Sequence, residues 1–365
     1  MVSIASQGRI KRTSGKGRFV KVRRFTCMLG SVVIVLAIAG SGSAFAANHP
    51  GAQTKAQWQR EIANLRTPGS GCYHATYPAV QWHATPCLVA PNVPLAPRLQ
   101  TRSGGPLVIG DGGDYSAQVT GTISKATGTF DHVSSNLSET GQINDTGPQV
   151  TNAFTLQLNS EFFSTPVCSG SAKPSKCLGW QQFVYAYHYS GNTNEVFMQY
   201  WLLHWNTTCP AGWGSYGHDC YTNSPASSYG SLPAKDLGDI TFVGRASSGG
   251  NDEVTLSNTS GQASSASNSD SELDLSAVWD TTEWGVFGDA GGGEANFGAD
   301  STLEAQTTFQ ATSSSAPTCV DEGFTGETNN LDLTKTKALG TESSPTMASK
   351  QTNGTAKPAS CAVGG

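Results

Sequence analysis

The chain has 365 residues, with 22 Lys and Arg against 27 Asp and Glu, a formal charge of −5. Eight of the bases lie between Arg9 and Arg24 and no acid occurs in the first 46 residues, so 22 minus 8 leaves 14 bases against 27 acids, or −13, for the remainder. That balance excludes electrostatic affinity for nucleic acid or anionic lipid. No stretch has the roughly 18 consecutive apolar residues that a membrane-spanning helix needs.

Residues 1–46 read as a secretory signal peptide: a basic opening, the apolar run Met28 to Ala39, and a small-residue cleavage site at Ala44-Phe45-Ala46. Arg23-Arg24 suggests twin-arginine export, although the residues after the pair fit ordinary secretion better. The expected location is extracellular, with no membrane contact once the signal is removed. Nine cysteines less Cys27 of the signal leave eight, an even number suited to an oxidising compartment. Proximity pairs Cys72 with Cys87, Cys168 with Cys177 and Cys209 with Cys220, which leaves Cys319 for Cys361. Eight cysteines permit about 105 pairings, so the reading rests on spacing. A metal would need clustered ligands; His218-Asp219-Cys220 is the nearest approach, and neither metal nor other cofactor is expected.

Residues 47–105 form an N-terminal appendage. Lys55 to Leu65 has helical character, a cysteine loop follows, and Pro86, Pro91, Pro94 and Pro97 preclude regular structure thereafter. Two readings stand, a pro-segment or a disulfide-pinned cap on the main domain. Residues 106–333 carry short alternating runs, among them Tyr115 to Ile123, Ala153 to Leu158, Asp239 to Ala246, Glu253 to Asn258, Ser276 to Phe287 and Ser301 to Phe309. Many short strands separated by turn residues predict an all-β fold, a two-sheet antiparallel β-sandwich with about six or seven strands per sheet. Residues 334–365 are poor in hydrophobics and read as a low-complexity tail tethered through Cys361.

The densest stretch is Gly179 to Trp205. Trp180 to Tyr189 and Val196 to Trp205 read as a β-hairpin around Gly191-Asn192-Thr193-Asn194. In the first strand, alternation puts Phe183, Tyr185 and Tyr187 on one face, expected to be core, and Gln182, Val184, Ala186 and His188 on the other. The second strand carries Gln199 on one face and Tyr200 and His204 on the other.

Several segments, in order, resemble the glutamic peptidases, or eqolisins. These are Tyr115 to Ser134, the Cys168 to Cys177 loop followed by Trp180-Gln181-Gln182, Phe197 to Trp205, Asp236 to Gln262, and Thr282-Glu283-Trp284. The resemblance covers a little over half the chain and implies a jelly-roll, concanavalin-like sandwich and an acid peptidase chemistry. In that chemistry a glutamic acid acts as general base and acid, and a glutamine amide stabilises the oxyanion. Gln182 takes the place of the glutamine. Counting on from Glu283, the family's glutamate falls on Phe287, while Ala186 and Tyr200 stand where the family has carboxylates. The remaining carboxyl candidates are Glu283 and Asp289, and His188, Tyr200 and Phe287 are candidate binding residues. The leading expectation is a secreted, non-hydrolytic protein binding peptide or polysaccharide on a concave sheet, or serving a structural role outside the cell. The alternative is an acid endopeptidase using Gln182 with Asp289 or Glu283.

Overall fold

A computed structural model describes residues 53–97, 115–143, 147–186, 194–320, 328–334, 339, 344–353 and 361–364. The signal peptide, the hairpin turn and His188 lie outside these residues. In chain order the appendage gives α1 (Lys55–Asn64), β1 (Gly71–Thr76) and β2 (His83–Thr85). There follow β3 (Ser116–Gln118), β4 (Ile123–Asp131), β5 (Glu139–Gln142), β6 (Gln149–Thr151), β7 (Phe154–Ser160), β8 (Leu178–Ala186) and β9 (Glu195–Leu203). Next come β10 (Gly214–Tyr216), β11 (Asp219–Asn223), β12 (Ser227–Ser228), β13 (Ile240–Arg245), β14 (Asn251–Asn258) and β15 (Gln262–Ser269). The last are β16 (Thr281–Gly288), β17 (Glu294–Phe297), β18 (Thr302–Ala311), β19 (Thr318–Val320), β20 (Thr328–Asn329), β21 (Asp332–Thr334), β22 (Thr346–Thr352) and β23 (Ala362–Gly364).

The fold is a β-sandwich of two large antiparallel sheets. One, ten-stranded among the described residues, runs β2-β1-β15-β14-β13-β4-β18-β22-β21, with β23 on β22. The other, nine-stranded, runs β10-β11-β9-β8-β7-β16-β3-β19, with β12 on β9. A smaller sheet, β20-β17-β5-β6, stands beside them. The sheets are wider than the expected six or seven strands because flanking segments add to the edges. The appendage pairs β1 with β15, and the tail read as low-complexity pairs β22 with β18 over seven residues. All four disulfides join the cysteines that spacing matched.

The core lies between the large sheets. Trp284 of β16 stacks on Phe130 and Phe242 of the opposite sheet, with ring centroids 4.8 and 5.2 Å apart. Gly128 of β4 lets this happen: a Cβ there would sit 2.3 Å from the Trp284 indole. In the hairpin, Phe183, Tyr185, Met198 and Tyr200 all belong to this core, as alternation requires once Phe183 points inward.

The appendage is built onto the sandwich. Thr54 and Gln57 form a capping box that starts α1, whose Trp58 and Ile62 pack with Tyr73, Ala75, Trp82 and Ala263. Gln59 donates to the carbonyls of Asp239 and Ser257. The Cys72–Cys87 bridge then closes the loop, and Leu88 exchanges both backbone hydrogen bonds with Ala226. The chain thereby passes from one sheet to the other. Among the described residues, no helix is long and apolar enough to cross a membrane.

Candidate functional site

On the nine-stranded sheet the face turned away from the core is unusually polar and nevertheless buried. Its centre is one row of residues paired side by side across six strands. Asn223 pairs with Gln199, Gln199 with Gln182, Gln182 with Asn159, Asn159 with Glu283 and Glu283 with Ser116. Directly paired residues point to the same face, so the row is continuous. Gln199, Gln182, Asn159 and Glu283 are all fully buried. Burying such groups is costly unless they are hydrogen-bonded.

The bonds are there, and they orient the amides. Trp201 Nε1 donates to Gln182 Oε1 at 3.1 Å and to Gln199 Oε1 at 3.0 Å. With its oxygen held from the β9 side, Gln182 turns its Nε2 toward β7 and donates to Gln157 Oε1 at 3.0 Å. Asn159 Nδ2 donates to the same Gln157 oxygen at 3.1 Å and to Glu283 Oε2 at 2.9 Å. Gln157 is steadied in turn by donating to Thr155 Oγ1 at 2.9 Å. A chain of three side-chain hydrogen bonds therefore links the Gln182 amide to the Glu283 carboxyl. Two strand spacings put their Cα atoms about 10 Å apart, with both side chains on the same face.

The other candidates are placed differently. Phe287 is on the face of Gln182, and β7 stands between their strands. Phe287 pairs with Thr155, which pairs with Ala186, four residues along from the Gln182 row. Asp289 lies further still, just beyond the end of β16, where its charge is felt by Glu139. Tyr200 faces the core instead of the face that carries Gln182: its hydroxyl meets Met198 Sδ and accepts from Asn268. Of the carboxyl candidates, Glu283 alone shares a row with Gln182.

A second buried carboxyl group faces the core. Asp252 accepts from Gln181 Nε2 at 2.8 Å; burial, then the nearby Asp270, drives its carboxyl well above the usual range. A cavity of about 480 Å³ lined by residues including Arg66, Arg245, Ser247 and Ser276 is not part of the Gln182 row. No group of His, Cys, Asp and Glu suited to hold a metal occurs among the described residues.

The residues that sequence reasoning missed are those that grip the appendage. Gln199 Nε2 donates to the Val93 carbonyl at 3.0 Å and to Asn223 Oδ1 at 2.8 Å, and Gln199 Oε1 accepts the Leu95 N–H at 2.7 Å. Asn223 Nδ2 donates to the Pro91 carbonyl at 2.9 Å, and Tyr221 donates to Asn92 Oδ1 at 3.0 Å. Ala90 and Leu95 pack among Val184, Ala186, Phe197 and Ala226, and Ala96 among Trp180, Trp201 and Tyr221. A signal existed in the amide at Gln199, set in an otherwise apolar strand. Its partner on the Pro-rich segment lies over a hundred residues upstream and carried none.

Comparison of the chain with protein-family models, with curated proteins and with solved structures finds no match.

Proposed function

We propose that the protein is a secreted acid endopeptidase related to the glutamic peptidases, with Glu283 as its proton-transferring carboxyl and Gln182 as its oxyanion-stabilising amide. The observation that supports this most is the shared register of the two with Asn159, which sets amide and carboxyl on one face with a single strand between them. Glu283 would take a proton from the attacking water and return it to the leaving amine. Gln182 Nε2, already directed toward β7, would donate to the oxygen that becomes negative. Asn159, which donates to Glu283, holds the carboxyl in place. The four disulfides suit the export that the basic and apolar leader implies.

The test is digestion of an acid-denatured protein between pH 2 and 5 by the wild type and by Leu95→Asp, in which residues 90–96 are loosened from the sheet. Turnover should fall about 100-fold or more in Glu283→Gln and in Gln182→Ala, and persist in Asp289→Asn. No digestion by either parent protein would overturn the enzymatic reading. It would leave the second one, a non-hydrolytic peptide-binding protein, which the peptide contacts made by Gln199 and Asn223 favour over a polysaccharide binder.

A further inference from the structure

The segment Leu88 to Pro97 is held as a bound peptide would be, through backbone groups and small apolar side chains. We propose that the polar row is a peptide-binding groove whose Asn223 and Gln199 read the backbone of extended, apolar, proline-containing chains, and that residues 88–97 are the groove's own ligand, occupying it until displaced. The location rests on the catalytic reading only in that the same row carries Gln182 and Glu283; the binding itself requires no hydrolysis.

Three features carry the inference. The contacts to Pro91, Val93 and Leu95 go to main-chain carbonyls and an N–H, groups that every peptide has. The side chains that accompany them are selected by chemistry: Leu95 is buried against Val184, Ala186 and Phe197, and Ala96 lies among aromatic rings. Prolines at 91, 94 and 97 keep such a chain extended and lower the entropy lost on seating it. Direction completes the picture. The segment advances from Asn223 on β11 to Gln199 on β9, crosswise to the strands and along the row, and Gln182 is the next residue of that row. A bound chain keeping this line crosses Gln182, Asn159 and Glu283, so Gln199 and Asn223 are positioning residues for whatever the next part of the row acts upon.

The probe is a fluorescent decapeptide of residues 88–97, Leu-Val-Ala-Pro-Asn-Val-Pro-Leu-Ala-Pro, measured by anisotropy against the full secreted chain. Wild type should bind it at least tenfold more weakly than Leu95→Asp, whose new carboxylate is disfavoured in the apolar site and frees the groove. Adding Gln199→Ala to Leu95→Asp should weaken binding tenfold or more, and the reversed-sequence peptide should bind poorly. Anisotropy reads binding whether or not the peptide is cut, which separates this test from the catalytic one. If Leu95→Asp does not fold, Leu95→Ser takes its place. A folded variant that ignores the peptide, or equal binding by wild type and variant, overturns the proposal. So does binding that Gln199→Ala leaves unchanged.

Discussion

At the residue scale, strand parity was enough to assign Gln182 to the face opposite Phe183, because alternation is a local property of one strand. The pairing of Glu283 with the Gln182 row was not legible. It depends on how β16 slides against β7, and the family pattern counted from Glu283 falls four residues along, on Phe287. The seating of Trp284 between the sheets rests on Gly128, a position where nothing in the local sequence distinguishes close approach from an ordinary loose strand. A methyl group at Gly128 would overlap the Trp284 indole, and Trp284 adjoins Glu283. Gly128→Ala is therefore expected to destabilise by roughly 1–3 kcal/mol, the usual cost of overpacking a core. In thermal unfolding it should lower the melting temperature, and in the acid digestion assay it should lower activity more than a surface Gly→Ala change. An unchanged melting temperature would mean that the aromatic stack yields freely.

At the element scale, the central strands were readable from short alternating runs, and the cysteine pairs from their spacing. The edges were not. β22, Thr346–Thr352, has two apolar residues in seven and owes its strand state to the open edge of β18, a tertiary cause that composition cannot carry. Likewise the prolines after Cys87 correctly excluded helix and strand, but they gave no hint that the segment lies on a sheet. The Cys72–Cys87 bridge should govern that seating, since it fixes the chain one residue before Leu88 pairs with Ala226. Replacing both cysteines with serine is expected to cost about 2–5 kcal/mol. Amide exchange at Leu88 and Leu95 should also accelerate more than exchange in β8. Equal acceleration in both places would instead indicate a global loss of stability with no special role for the bridge at the segment.

For the whole molecule, the buried acids predict a protein most stable in acid. Burial, partly offset by backbone N–H groups of Ala153 and Asn152 and reinforced by Asp289, raises the Glu139 carboxyl from 4.5 to about 8. Asp252 moves the same way. A carboxyl with a raised folded pKa binds its proton in the folded chain at pH values where the unfolded chain has lost it. For Glu139 that contribution to stability is therefore complete below about 4.5 and is lost as pH rises toward 8, and Asp252 adds to it in the same direction. Lys125, lowered by burial and by Arg245 to about 8, titrates between there and 10.5 and leaves the acid window untouched. The surplus of acids over bases acts in the same direction, since protonation relieves repulsion in the compact chain. The melting temperature should accordingly be higher at pH 4.5 than at pH 7.5. Glu139→Gln should raise the value at pH 7.5 and flatten the slope, because the neutral amide removes the charge that burial penalises. A melting temperature that climbs from pH 4.5 to 7.5 would show that Glu139 and Asp252 keep their charges in the folded protein.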